Sequence, residues 1–119
     1  MLLEDDELLS LFIKYMQSDD LKLIYEACWT ISNMISGGSE VIIRKVIQTD
    51  HCIECCIDVI NKIEDERLVN QMIMALSKCI EVDSGLRELY VNKNLKEILE
   101  NHDHIDNSSW IYQALISKL

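Results

Sequence analysis

One apolar stripe occurs twice in this chain with identical internal spacing. Within residues 20–36, apolar side chains fall at Ile24, Ala27, Cys28, Ile31 and Ile35. That i, i+3, i+4, i+7 pattern marks one face of an amphipathic α-helix. Moving 45 residues along turns these five into Val69, Met72, Ile73, Leu76 and Ile80, all apolar. A further 42 residues gives Ile111, Ala114 and Leu115, then Lys118, where the stripe fails. Local identity supports this register, since Ile24-Tyr25-Glu26-Ala27 is echoed by Ile111-Tyr112-Gln113-Ala114. A helix with one apolar face has to bury it, so a stripe recurring at this interval calls for stacked helices.

The segments between the stripes complete a repeating unit. Residues 39–48 and 52–63 read as two short helices, and 65–82 as a third that carries the stripe. The next unit reads as 85–94, 95–101 and 107–119, and the first as 4–17 and 20–36 only. Self-similarity at about 40–47 residues is the mark of armadillo and HEAT arrays. Three helices per unit is the armadillo count, two the HEAT count. The expected architecture is all-α: an armadillo-repeat, right-handed superhelical solenoid of about two and a half repeats. It forms a single domain over 1–119, with repeats at 1–36 (partial), 39–82 and 85–119. Asp19 or Asp20 is placed to cap the second helix, and Gly37-Gly38 to end it as a C′ glycine does. A unit that lacks its first helix suggests a piece of a longer solenoid, or a much reduced one. Its ends would then be uncovered, at Leu8, Leu9, Leu11 and Phe12 and near Trp110 and Leu115, and self-association is expected there.

Composition agrees with this reading and narrows the partners. There is no proline and there are three glycines, too few turn formers for an all-β chain. Acids outnumber bases by 21 to 11, a formal charge of −10. Nucleic acid and anionic membranes would be repelled, whereas a basic partner would be drawn in. The five cysteines, Cys28, Cys52, Cys55, Cys56 and Cys79, lie inside apolar helical patterns and read as reduced core thiols. The first residues lack the basic region of a signal peptide, and no apolar run reaches the roughly 18 residues of a membrane span.

Opposite the first stripe lies a different set of side chains. Stepping about 100° per residue from Ile24 puts Trp29 near about 140°, Lys22 near about 160°, Asn33 near about 180° and Glu26 near about 200°. A tryptophan, an amide and a carboxylate on an outward face suit an extended basic peptide. The ring takes the stem and charge of Lys or Arg, the amide holds backbone, and the carboxylate pairs with the cation. The plainer alternative is that Trp29 packs on a neighbouring helix and Asn33 is merely solvated.

The run Glu26-Ala27-Cys28-Trp29-Thr30-Ile31-Ser32-Asn33, followed by Gly37-Gly38, resembles the third helix of an armadillo repeat in the importin-α family. VIIRKVIQTDHCIECCIDVI resembles the first two helices of that family's next repeat, and MALSKCI its third. The likeness covers most of the chain and points to the family's C-terminal repeats. It implies an adaptor that binds nuclear-localisation signals and moves between cytoplasm and nucleus, with no enzymatic activity and no cofactor. Trp29 would be the stacking tryptophan, Asn33 the backbone clamp, Glu26 the acid that pairs with a signal lysine, and Ser32 a small polar neighbour. Lys22, Gln71, Met74 and Lys78 would continue the groove. Implied partners are basic signal-bearing proteins, with importin-β and a recycling exportin through the rest of such a protein or its last repeats. A generic armadillo scaffold with a different protein partner is the alternative.

Two departures stand out. Met74 and Lys78 occupy the Trp and Asn positions one repeat on, and a lysine there repels a basic peptide. Thr49-Asp50-His51 stands where the family places glycine before its second helix. His51, Cys52, Cys55 and Cys56 raise the idea of a metal, as do His102 and His104. The thiols are needed by an apolar helix face, however, and no second cysteine pair at zinc spacing exists, so no metal is expected. His102 and His104 read as solvated.

Overall fold

Capping chemistry explains where the helices start. The computed structural model describes residues 5–106 and 108–119; Glu4 and Asn107, expected as helix-starting residues, lie outside the described residues. In chain order the helices are α1 Asp5–Met16, α2 Leu21–Ser36, α3 Glu40–Gln48, α4 Cys52–Val59, α5 Glu66–Val82, α6 Leu86–Asn92, α7 Leu95–Glu100 and α8 Trp110–Ile116. A 3₁₀ turn, Ile60–Lys62, extends α4, and no strand occurs among the described residues. The Asp20 carboxylate accepts from the Lys22 N–H at 3.0 Å, and that of Asp65 from the N–H groups of Arg67 at 2.9 Å and Leu68 at 3.4 Å. The hydroxyls of Ser39 and Ser109 do the same for Ile42 and Ile111. Each cap satisfies an amide that has no partner inside its helix. Ser109 thereby starts the last helix at Trp110.

The repeated stripe forms the core. All five residues of its first copy and all five of its second are buried. α2 packs on α5, and α5 on α8. α1 covers α2 and α4, while α3 sits against α2, α4 and α5. In the third copy only Leu115 is fully buried, and Ile111 is half-buried beside it. The buried Tyr90 hydroxyl donates to the Leu76 carbonyl at 2.8 Å, and nearer the surface the Tyr25 hydroxyl accepts from the Glu64 N–H at 2.8 Å.

The five thiols are free and buried, as expected of core cysteines. Burial pushes Cys28 and Cys79 up to about 12. Cys52 and Cys56, one turn apart on α4, share a hydrogen bond that raises Cys56 and lowers Cys52, and burial raises Cys56 further.

Three expectations need correction. Gly37 directly follows the last residue of α2, as expected, but without the left-handed turn of a C′ glycine: it has φ −99° and ψ 0°, and its N–H donates to the Asn33 carbonyl at 3.0 Å. The apolar ends are largely covered. Leu9 is 0% exposed and Leu8, Leu11 and Phe12 are half-buried, because α1 folds over α2 and α4; Leu115 is 0% exposed, with α8 packed on α5, while Trp110 stays open at 73%. His102 is not simply solvated, since its Nε2 lies 3.0 Å from the Ile60 carbonyl.

Left-handed backbone appears elsewhere, at His51 (φ 65°) and Asn94 (φ 57°). Each immediately precedes a helix, α4 and α7, and they are 43 residues apart, from 51 to 94. This conformation costs a β-carbon-bearing residue roughly 1–2 kcal/mol, and Asn tolerates it better than most. His51→Gly should therefore raise stability by about 0.5–1 kcal/mol in urea denaturation, and Asn94→Gly by less. A lower midpoint for His51→Gly would show that its side chain contributes more than its backbone loses.

Candidate outward face on α2, α5 and α8

With the stripe of α2 turned inward, the residues opposite it reach the surface. Lys22, Glu26 and Asn33 are exposed. Trp29 is half-buried, with part of its ring packed on the core edge and part open. It packs against the core and keeps part of its surface exposed. Ser32 is 0% exposed and its hydroxyl donates to the Trp29 carbonyl at 3.1 Å. It supports the tryptophan's turn from behind and does not belong to the open surface.

The next helix joins this face through polar bonds. Gln71 Nε2 donates to Asn33 Oδ1 at 2.8 Å and to Ser36 Oγ at 3.3 Å. Lys78 Nζ donates to the Ser36 carbonyl at 2.8 Å. Ser36 Oγ in turn donates to the Ser32 carbonyl at 2.8 Å. Lys78 is therefore half-buried and tied to the negative end of α2, where a cation complements the helix dipole. Met74, between Gln71 and Lys78 on α5, is 38% exposed. The Gln71 bond uses the oxygen of the Asn33 amide and not its NH₂ donors.

On its other side α5 meets α8 across a shallow cleft of ≈190 Å³, lined by Met74, Lys78, Glu81, Trp110, Ile111 and Ala114 among others. Lys118 Nζ spans its edge, donating to Ser77 Oγ at 2.8 Å and Glu81 Oε1 at 2.7 Å. Among the described residues no three His, Cys, Asp or Glu side chains converge so as to hold a metal ion.

No protein-family model matches this chain, and no curated protein matches it in sequence.

Of the residues singled out in the sequence, Asn33, Gln71 and Lys78 meet around the end of α2, and Glu26 and Trp29 share the outward side of the same helix. Ser36 was not singled out, and Trp110 was named only at an uncovered apolar end, not on this face. Ser36 looked like a mere helix end, yet it accepts from two side chains of α5. Trp110 escaped because the repeat register places Ile116, not Trp110, at the tryptophan position.

Proposed function

We propose that this chain is an armadillo-type repeat module of the importin-α kind, and that the α2–α5 face binds an extended Lys/Arg-rich peptide such as a nuclear-localisation signal. One observation carries it: Trp29 and Asn33 stand one turn apart on the side of α2 opposite the buried stripe, with the Asn33 amide braced by Gln71. A braced amide loses less rotamer entropy on binding. Glu26, exposed on the same side, supplies a carboxylate for the peptide's cation. The row α2, α5, α8 and the left-handed residues before α4 and α7 support the repeat reading. Such a module acts by carrying partners rather than by catalysis.

One tryptophan–asparagine pair is a small site, so a basic signal peptide should bind at about 10–100 µM, about −7 to −5.5 kcal/mol. Rising salt should weaken it, because part of the attraction is coulombic. Fluorescence polarisation with a labelled Lys/Arg-rich peptide tests the reading. Trp29→Ala should cost about tenfold, since a cation–π contact is worth on the order of 1–2 kcal/mol, and Glu26→Lys should weaken binding further. Lys78→Asn should strengthen it by removing a positive charge, while costing about 1–2 kcal/mol of stability as the Ser36 carbonyl loses its charged donor. Equal affinity in wild type, Trp29→Ala and Lys78→Asn would leave only a scaffold with another partner.

A further inference from the structure

The cleft between α5 and α8 lies beside the same face but differs from it chemically. Met74, Ile111 and Ala114 give it apolar walls, and Trp110, 73% exposed, stands at its edge. Its charges do not favour a cation. Among the described residues two ammonium groups, Lys78 and Lys118, flank it against the carboxylate of Glu81, which Lys118 already engages. A second Lys or Arg would meet net positive charge there, whereas an aliphatic side chain would meet apolar walls.

The cleft is continuous with the Asn33 site. Asn33 is bonded to Gln71, Met74 follows Gln71 by one turn of α5, and Met74 lines the cleft. Packed helices lie roughly 8–10 Å apart, so passing from α2 over α5 to α8 covers about 16–20 Å. An extended chain advances roughly 3.3 Å per residue, so five or six residues span that distance.

We propose that the α5–α8 cleft is an apolar subsite for the peptide whose basic residue lies on Trp29, taking a Leu, Ile or Met side chain five or six residues away. This rests on the peptide-binding reading above and adds a specificity to it: the preferred ligand is a basic cluster plus one spaced aliphatic residue, and not a second basic cluster.

The test uses labelled peptides with one Lys-Arg pair and a single Leu set two to nine residues from it on either side. Peptides with Ala, or with a second Lys, in place of the Leu serve as references. Affinity should peak at a spacing of about five or six on one side, about fivefold above the Ala peptide, and fall for the Lys peptide, as expected when one aliphatic side chain is partly buried. Trp110→Ala should abolish the gain and leave the Ala peptide's affinity unchanged. The exposure of Trp110 makes the variant safe for folding, and circular dichroism checks this. A Leu gain that is absent at every spacing, or that survives Trp110→Ala, overturns the subsite while the Trp29 site stands. Failure of the pair-only peptide to bind removes both.

Discussion

Gly38→Ala should lower stability by about 3 kcal/mol, while Gly37→Ala beside it should change stability by no more than about 0.5 kcal/mol. The contrast follows from where a β-carbon would land. At Gly38 it would come 2.1 Å from the Met34 carbonyl oxygen, and 3.2 and 3.3 Å from two carbons of Ile42. The oxygen belongs to the backbone of α2 and cannot swing aside, so the junction between α2 and α3 has to open. Overpacking of this kind typically costs 1–3 kcal/mol and sometimes more. At Gly37 the nearest atom is the Asn33 carbonyl oxygen at 3.4 Å, the edge of ordinary contact, and alanine restricts the unfolded chain. Urea denaturation reads both variants, and an unchanged m-value assigns the shift to the native state. Equal midpoints for the two variants would refute the steric account.

The second large effect is alkaline. Cys28 and Cys79 are held up to about 12 by burial, while their unfolded thiols titrate near 8.5. The folded chain therefore keeps protons that the unfolded chain gives up. Stability from these thiols is fully present below about pH 8.5 and is lost as pH rises towards 12, at about 1.4 kcal/mol per pH unit for each thiol. Burial raises Tyr90 in the same direction, which steepens the fall, whereas the Cys52–Cys56 hydrogen bond moves its two thiols in opposite directions. Denaturant midpoints taken from pH 8 to pH 11 should drop steadily, and the double variant Cys28→Ala/Cys79→Ala should show a shallower slope. A flat profile across that range would mean that these thiols ionise without unfolding the chain.

Much of the helical layout was legible because it depends on neighbours in sequence. The stripe at Ile24, Ala27, Cys28, Ile31 and Ile35 fixes which side of α2 is buried, and Asp20 and Asp65 fix where α2 and α5 begin. The outward set of Lys22, Glu26 and Asn33 follows by exclusion. Contacts across roughly 40 residues were not legible. Helical periodicity says which side faces a partner, but not which polar atoms meet there. Lys78 reads as a bare cation in the groove, yet it caps α2 at Ser36. The resemblance makes Ser32 a small polar neighbour of a peptide site, yet a bond to its own helix lets it lie buried. His51 carries no turn signature, but the two-helix corner forces it left-handed in the place where glycine was expected.

The bonds from Gln71 and Lys78 to the end of α2 have a consequence for alignment. Two aliphatic stripes with steps of three and four residues look nearly alike after sliding by one helical turn, about 5.4 Å. Apolar packing alone would thus leave α2 and α5 with near-degenerate relative positions. Hydrogen bonds to a single serine have no such periodicity: after a one-turn slide Gln71 and Lys78 would lose Ser36 as their common acceptor. Those few polar atoms act as a ratchet pin, selecting one alignment among several that the core would tolerate.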